Sequence, residues 1–300
     1  MEATLIDIND YEYSGEGANG ASYNHKTDKS LMLKLYNASA PLEIVKSELE
    51  FARKVFDAGI PTPEPGDFVT DGSGRYGIRF QRIEGKKSFS RATGDNPERV
   101  EEYARRFAAM CKQLHSTRLP KGIFPDVKEA DLKMLAESPY FSEPEREMVE
   151  RFIKSAPDGD TAIHGDLQYS NAIMSDSGEY FIDLGDFCCG HPYFDLGMVL
   201  LCCVYDDDAF IRETFHMEPE TAREFWRYFV KGYFGEDADQ GDEIGEITLV
   251  ENYPASKVYT VKGLHTYLIP AVNDVFIASV NLAENKMEVH MLEGLAIDEH

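Results

Sequence analysis

The segment Ala162-Ile163-His164-Gly165-Asp166-Leu167-Gln168-Tyr169-Ser170-Asn171, with Tyr180-Phe181-Ile182-Asp183 close behind it, holds the densest group of chemically capable residues in the chain. Between them stand Ala172-Ile173-Met174 and the polar run Ser175-Asp176-Ser177-Gly178-Glu179. Two short apolar runs around a polar stretch read as a β-hairpin with a five-residue loop. Pairing Met174 with Tyr180 sets Ile173 opposite Phe181 and Asn171 opposite Asp183. Directly opposed residues on one face have Cβ atoms about 4.5–5.5 Å apart. A carboxamide oxygen and a carboxylate at that spacing form a hard-oxygen site suited to Mg2+. Asp166, five residues before Asn171, enters the same strand end and is available as a base that orients a hydroxyl nucleophile. The pairing rests on register, because a slip of one residue puts Asn171 and Asp183 on opposite faces. An isolated Asp or Asn in a loop is ordinarily a turn or cap residue. His-Gly-Asp, an Asn five residues on and an Asp twelve beyond that make a constellation instead.

This constellation resembles the catalytic and metal motifs of the aminoglycoside phosphotransferase and choline kinase superfamily, which shares the protein-kinase fold and catalytic template. Gly190-His191-Pro192-Tyr193-Phe194-Asp195-Leu196 is similar to the segment that follows the metal aspartate in that family, and the resemblance extends over about residues 10–270. It implies an α+β, two-lobed protein-kinase-like fold. The small N-lobe would be an antiparallel sheet with one helix, and the larger C-lobe mostly helical. It implies that Asp166 is the catalytic base, that Asn171 and Asp183 hold Mg2+, and that His164 and Asp195 brace the loop from behind. The chain departs from many relatives at Gln168-Tyr169-Ser170, where they carry His-Pro-Gly, and at Leu184, where an aromatic is common. Neither change removes a group that the chemistry requires.

The nucleotide half is read separately. Gly15-Glu16-Gly17-Ala18-Asn19-Gly20 is a G-x-G-x-x-G, a motif that on its own fits a dinucleotide loop, a kinase flap or a plain glycine hairpin. A dinucleotide loop opens a helix, whereas here Ala21 to His25 reads as a strand. That context favours a flap whose backbone, at Gly15, Gly17 and Gly20, covers the phosphates of ATP. On the next strand, Leu31, Leu33 and Leu35 share one face and Met32, Lys34 and Tyr36 the other. Lys34 is therefore free of the leucine face and able to reach the α- and β-phosphates. A helix from about Pro41 carries the apolar stripe Leu42, Val45, Leu49, Ala52 and Phe56 and stops at Gly59-Ile60-Pro61. At about 100° per residue, Glu43 and Glu50 point away from that stripe while Glu48 flanks it, which makes Glu48 the partner expected for Lys34. Phe80 to Gly85 resembles the family's linker between lobes, implying adenine contacts at the carbonyl of Gln81 and the N–H of Ile83.

Working outward, Asp71-Gly72-Ser73-Gly74 reads as a hairpin turn between two strands. From Asn96-Pro97 the pattern turns helical, with Val100, Tyr103, Ala104, Phe107, Cys111 and Leu114 on one face. A second helix-rich stretch covers about 129–154, a strand and loop region follows over 161–195, and helices are expected from there to the end. The organisation is a nucleotide-binding lobe over 1–84 and a catalytic, acceptor-binding lobe over 85–300.

The 300 residues hold 30 Lys and Arg against 54 Asp and Glu, a net charge of −24. Such a balance argues against nucleic acid and against an anionic membrane surface, both of which call for basic patches. The longest apolar run, Leu196 to Tyr205, has ten residues and is too short to span a bilayer. The acidic start MEATLIDIND reads as neither a signal nor a transit peptide. Five cysteines without disulfide-like spacing fit a reducing, cytoplasmic location. Cys188-Cys189-Gly190-His191 lacks a second ligand pair at zinc spacing. Cys202-Cys203 reads as core packing, and His115 as a helix-end or core histidine.

The activity implied is ATP- and Mg2+-dependent phosphoryl transfer to a hydroxyl on a small molecule. Twelve residues from Asp183 to Asp195 leave little room for a peptide-docking loop, which disfavours a protein kinase. A non-catalytic nucleotide-binding module is disfavoured because Lys34, Glu48, Asp166, Asn171 and Asp183 are all present. Residues 201–251 hold fourteen acidic against four basic side chains, so a cationic acceptor is one expectation and a merely soluble acidic surface the other.

Overall fold

The computed structural model describes residues 2–17, 20–235, 244–252, 257–263, 266–272, 276–281 and 286–289. In chain order, β1 (Thr4–Leu5), β2 (Tyr11–Gly17), β3 (Gly20–His25) and β4 (Leu31–Tyr36) precede α1 (Leu42–Asp57). Then come β5 (Pro65–Thr70), β6 (Tyr76–Gln81), β7 (Lys87–Ser88), α2 (Phe89–Asp95) and α3 (Val100–Ser116). Helices α4 (Val127–Glu137) and α5 (Glu143–Ser155) lead to β8 (Thr161–Ile163), β9 (Ala172–Ser175), β10 (Gly178–Phe181) and β11 (Cys188–Gly190). Next are α6 (Tyr193–Leu200), α7 (Asp208–Phe210) and α8 (Pro219–Phe234). The last described elements are β12 (Glu246–Asn252), β13 (Lys257–Lys262), β14 (Thr266–Pro270), β15 (Ile277–Asn281) and β16 (Lys286–Val289). The chain forms two compact units, Met1–Asp95 with His164–Phe187, and Asn96–Ile163 with Cys188–His300.

The first unit is built on a six-stranded sheet of order β1-β5-β6-β4-β3-β2, antiparallel except for the β1–β5 pair. Strand alternation in β4 sorts its side chains as expected. Leu33 and Leu35 join Ile6, Tyr11 and Val69 on one face. Tyr36 joins Val45, Leu49, Phe68 and Ile78 on the other, where α1 packs. Full burial of Val45 and Leu49 contributes about 1.5–3 kcal/mol each and fixes the rotation of α1 against the sheet. Pro41 is the residue just before the helix and not part of its first turn. At the other end Gly59 takes φ +84°, a left-handed geometry that glycine adopts without a Cβ penalty. A second, three-stranded sheet of order β10-β9-β7 completes the unit.

The second unit centres on α3 packed against α8. All six residues expected on the apolar face of α3 are buried. Phe225 and Phe229 of α8 meet Phe107, with ring centroids 6.0 and 5.5 Å apart. His115, near the end of α3, is a core histidine. It contacts the Tyr233 hydroxyl through Nδ1 at 2.7 Å and Asp195 Oδ2 through Nε2 at 3.0 Å. Strands β8 and β11 pair antiparallel and pack Ile163 and Cys188 on Val127 of α4. The run Leu196 to Tyr205 is helical, ending in a π-helical turn over Leu201–Tyr205 with Cys202 and Cys203 buried. All five cysteines are free thiols, and among the described residues no helix is long and apolar enough to cross a membrane.

Two expectations are corrected. Helices do not continue to the end: after α8 the described residues form β12-β13-β14 and the hairpin β15–β16. Strand-favouring residues, Val258-Tyr259-Thr260-Val261 among them, account for this. The hairpin after Asn171 is also one residue out of the expected register. Met174 pairs with Glu179, Ile173 with Tyr180 and Ala172 with Phe181, and Ser175 faces Gly178 across a two-residue turn.

Phe229 is fully buried, between Phe107, Trp226 and Tyr233. Phe229→Ala is expected to destabilise the protein by about 3–5 kcal/mol, measured by denaturant unfolding. A loss below about 1 kcal/mol would show that α3–α8 packing is not what holds this unit.

Candidate active site

The loop from His164 to Asn171 is fixed from below. His164 is 0% exposed. Its Nδ1 accepts the N–H of Asp166 at 3.3 Å, and its Nε2 faces the carbonyl of Ile182 at 3.1 Å. A carbonyl can only accept, so Nε2 carries the proton, and one neutral tautomer satisfies both bonds. Leu167 and Tyr169 are buried, and the Tyr169 carbonyl accepts the N–H of Ser90 at 3.1 Å. Asp166, Gln168 and Ser170 alternate with these anchors and are half-exposed. Gly165 has φ +84°, and a Cβ there would overlap the carbonyl of Asp186. Backbone conformation and close approach both demand glycine.

Asp166 is held at every acceptor the loop can reach. Asn171 Nδ2 donates to its carbonyl and to its Oδ2, both at 3.0 Å. Gln168 Nε2 donates to its Oδ1 at 2.6 Å. With one donor on each carboxylate oxygen the plane of the group is set, and each oxygen keeps a further lone pair. The residues expected as base and metal ligand are thus joined directly.

Asp183 stands at a different position from the one the expected register gives it. The observed register sets Ile182 beside Asn171, the Ile182 N–H donating to the Asn171 carbonyl at 2.8 Å. Asp183 therefore does not face Asn171 across a ladder. It is the next residue on, and it leaves the strand with φ +61° and an exposed side chain. Left-handed backbone is rare outside glycine but tolerated by Asp, and it recurs at functional sites. Among the described residues no three His, Cys, Asp or Glu side chains are grouped to hold a metal by themselves. One carboxylate and one carboxamide oxygen fit Mg2+, which keeps waters and substrate phosphates as its other ligands.

The residues expected to bind nucleotide lie in the same unit, Gly15, Gly17, Gly20, Lys34 and Gln81 on its sheet, Glu48 on α1 and Ile83 just past β6. Gly17 pairs with Gly20 across the β2–β3 turn, and Gly15 faces Ser22 beside a bulge. Ala18 and Asn19 lie outside the described residues. A Cβ on Gly20 would overlap the carbonyl of Leu35, so this glycine is needed for strand packing, whatever else it does. Lys34 Nζ bonds Glu48 Oε1 at 2.6 Å, the partner expected from the helix stripe, and both side chains are about one-third exposed. The ammonium also sits 5.0 Å from the centroid of the Tyr36 ring. Burial, and then the adjacent Glu48 carboxylate, push the Tyr36 phenol far above its ordinary range, so it stays protonated. Gln81 ends β6, its side chain accepting the Glu64 N–H at 3.3 Å, and the Ile83 side chain is buried. Asp195, 1% exposed, belongs to the second unit, where it meets His115.

A family profile described as APH, phosphotransferase enzyme family, matches residues 13–229. The chain belongs to the phosphotransferase enzyme family. Its fold is similar to that of an aminoglycoside-3'-phosphotransferase of type VIII, at 18% identity over 75% of this chain and 88% of that one, with a TM-score of 0.51. Further similar structures are the ADP-bound aminoglycoside phosphotransferase APH(2'')-Ib (20% identity, 77% and 79% covered, TM-score 0.49) and a choline/ethanolamine kinase family protein from Mesorhizobium loti (15%, 75% and 70%, 0.44). No curated protein matches the sequence. Membership in the phosphotransferase family accords with a protein-kinase-like fold: a mixed, mainly antiparallel sheet with α1, then a larger part rich in helices.

Sequence reasoning passed over two residues that touch Asp166 or its partner. Gln168 and Ser170 stood out only as departures from relatives, although their alternation with buried Leu167 and Tyr169 was visible.

Gly165→Ala is expected to cost more than about 1 kcal/mol from its left-handed backbone alone, plus the overlap with Asp186. Denaturant unfolding reads this loss. An unchanged midpoint would show that the loop does not need this close approach.

Proposed function

We propose that this phosphotransferase moves the γ-phosphoryl group of ATP to a hydroxyl of a small molecule. The observation that carries the reading is the Asp166 carboxylate, fixed by Asn171, whose carbonyl in turn accepts the N–H of Ile182, the residue before Asp183. In this reading Asp166 receives the proton of the attacking hydroxyl on a remaining lone pair and orients that hydroxyl in line with the phosphoryl group. Lys34, steadied by Glu48, binds the α- and β-phosphates. The backbone at Gly15, Gly17 and Gly20 covers the phosphates, while Gln81 and Ile83 contact adenine. Asn171 and Asp183 would hold Mg2+, which when bound would supply charge neutralisation on the transferring group. Catalysis is then mostly positioning and electrostatics. Residues 1–84 form the nucleotide half and 85–300 the catalytic and acceptor half, working in the cytoplasm.

The acceptor is proposed to be a small cation such as an amino sugar or a quaternary amine. Residues 201–251 carry a net −10, though Glu236, Asp237, Asp239, Asp242 and Glu243 lie outside the described residues. Focused negative charge steers a cation toward a site. Asp183 is followed after nine residues by α6, and Cys188–Gly190 within that interval pairs with β8, which supports a small acceptor over a peptide.

The test is an ATP-consumption screen over amino sugars, amino alcohols, neutral sugars and peptides, with wild type and Asp166→Asn in parallel. Wild type is expected to turn over a cationic alcohol, and Asp166→Asn to be slower by at least about a hundredfold. The value of kcat/KM should fall as ionic strength rises from about 0.01 to 0.15 M, where the Debye length shrinks from about 30 to 8 Å. Asp166→Asn turnover within a few-fold of wild type would remove Asp166 as the base. A neutral sugar as best acceptor with salt-independent kinetics would remove the cationic acceptor. ATP binding without transfer to any of them would favour a non-catalytic module.

A further inference from the structure

The structure assigns to Gln168 a role as positioning residue for Asp166, with Ser170 fixing which way the Gln168 amide points. This inference rests on the reading of Asp166 as the base. The Gln168 carboxamide is bonded at both ends, Nε2 to Asp166 Oδ1 at 2.6 Å and Oε1 to the Ser170 hydroxyl at 3.1 Å. A flipped amide would set its oxygen against the carboxylate and strand the Ser170 donor, so the two bonds together select one orientation. The backbone is equally constrained. The Gln168 N–H donates to the Asp166 carbonyl at 3.0 Å, and the Gln168 carbonyl accepts the Asn171 N–H at 2.9 Å. Buried Leu167 and Tyr169 pin the chain on either side.

The consequence concerns the second side-chain torsion of Asp166, which is broad and roughly two-fold in the absence of partners. Asn171 restrains one carboxylate oxygen, but in the proposed mechanism its own carboxamide oxygen also serves the cation. Gln168 restrains the other oxygen and has no second task among its side-chain bonds. Without it the carboxylate turns about a single remaining hydrogen bond. Transfer to a hydroxyl depends on the base being aimed, and small misplacements of a reacting group cost up to about a hundredfold. Gln168 acts through Asp166, not on the nucleotide, so its loss should lower kcat and leave the KM for ATP in place.

The experiment has two arms. In the free protein, the Gln168 side-chain amide signals are followed by 15N–1H NMR. They are expected to shift strongly on Asp166→Ala and measurably on Ser170→Ala; amide signals indifferent to Asp166→Ala would overturn the inference. In the kinetic arm, Gln168→Leu keeps the size and removes the donor. Its kcat is expected to fall about tenfold with the KM for ATP within about twofold, and Ser170→Ala to show a smaller loss of the same kind. On the Asp166→Asn background, Gln168→Leu should cost nothing further, because the two changes act through one group. A Gln168→Leu kcat within twofold of wild type, or full additivity with Asp166→Asn, would overturn the role. Wild type inactive on every acceptor would instead refute the phosphotransfer reading, and the NMR arm would still decide the Gln168–Asp166 bond.

Discussion

The Asn171 side chain, bonded to both the carbonyl and the carboxylate of Asp166, is the contact on which the site depends. It closes the loop that begins at His164 and leaves one amide to serve two functions. Its nitrogen holds Asp166, and in the proposed mechanism its oxygen remains for a cation. The bond holds only because the loop beneath it is rigid. His164 ties the Asp166 N–H to the Ile182 carbonyl, so it couples the loop to the segment that leaves β10 toward Asp183. Gly165 allows the chain to pass against Asp186. These constraints beneath the loop fall on its backbone, and the buried Leu167 and Tyr169 anchor it further.

The same economy appears on the six-stranded sheet. Lys34 is held by an ion pair at 2.6 Å that is one-third exposed, and such a pair contributes little to stability. Its value is directional. The Tyr36 ring lies under the ammonium, and α1 is set in rotation by Val45 and Leu49, so Glu48 arrives beside Lys34 as a consequence of core packing. The second unit draws on a different source, the aromatic contacts of α3 with α8 and the Tyr233–His115–Asp195 chain, in which His115 and Asp195 are buried.

What could be read from the sequence follows from periodicity. Alternation put Lys34 and Tyr36 on one face of β4, and the helical repeat singled out Glu48, because both patterns are imposed by burial on one side. The face of α3 was legible for the same reason. The hairpin register was not. Ser175 to Gly178 form a turn of two central residues, and nothing in a run of small polar residues distinguishes this from a longer loop. The left-handed turn at Asp183 escaped as well, since it is set by tertiary structure in a residue with no glycine signature. The strands after Phe234 were not legible for a simpler reason: β-branched residues such as Val258, Thr260 and Val261 stand there, but strand propensity depends strongly on context. Gln168 and Ser170 needed side-chain geometry to be noticed, because alternation with Leu167 and Tyr169 shows which way they face but not what they bond.

The central claim is that one unit of this phosphotransferase carries a Mg2+-dependent nucleotide site ending at Asp183. Titration calorimetry of a non-hydrolysable ATP analogue, in Mg2+ and in EDTA, on wild type and Asp183→Ala, tests it most directly. The account predicts binding by wild type that weakens at least about tenfold on removal of Mg2+, and an Asp183→Ala protein that is folded but no longer responds to the metal. Equal affinity in Mg2+ and EDTA, or an Asp183→Ala protein that binds the Mg2+ complex like wild type, would contradict it.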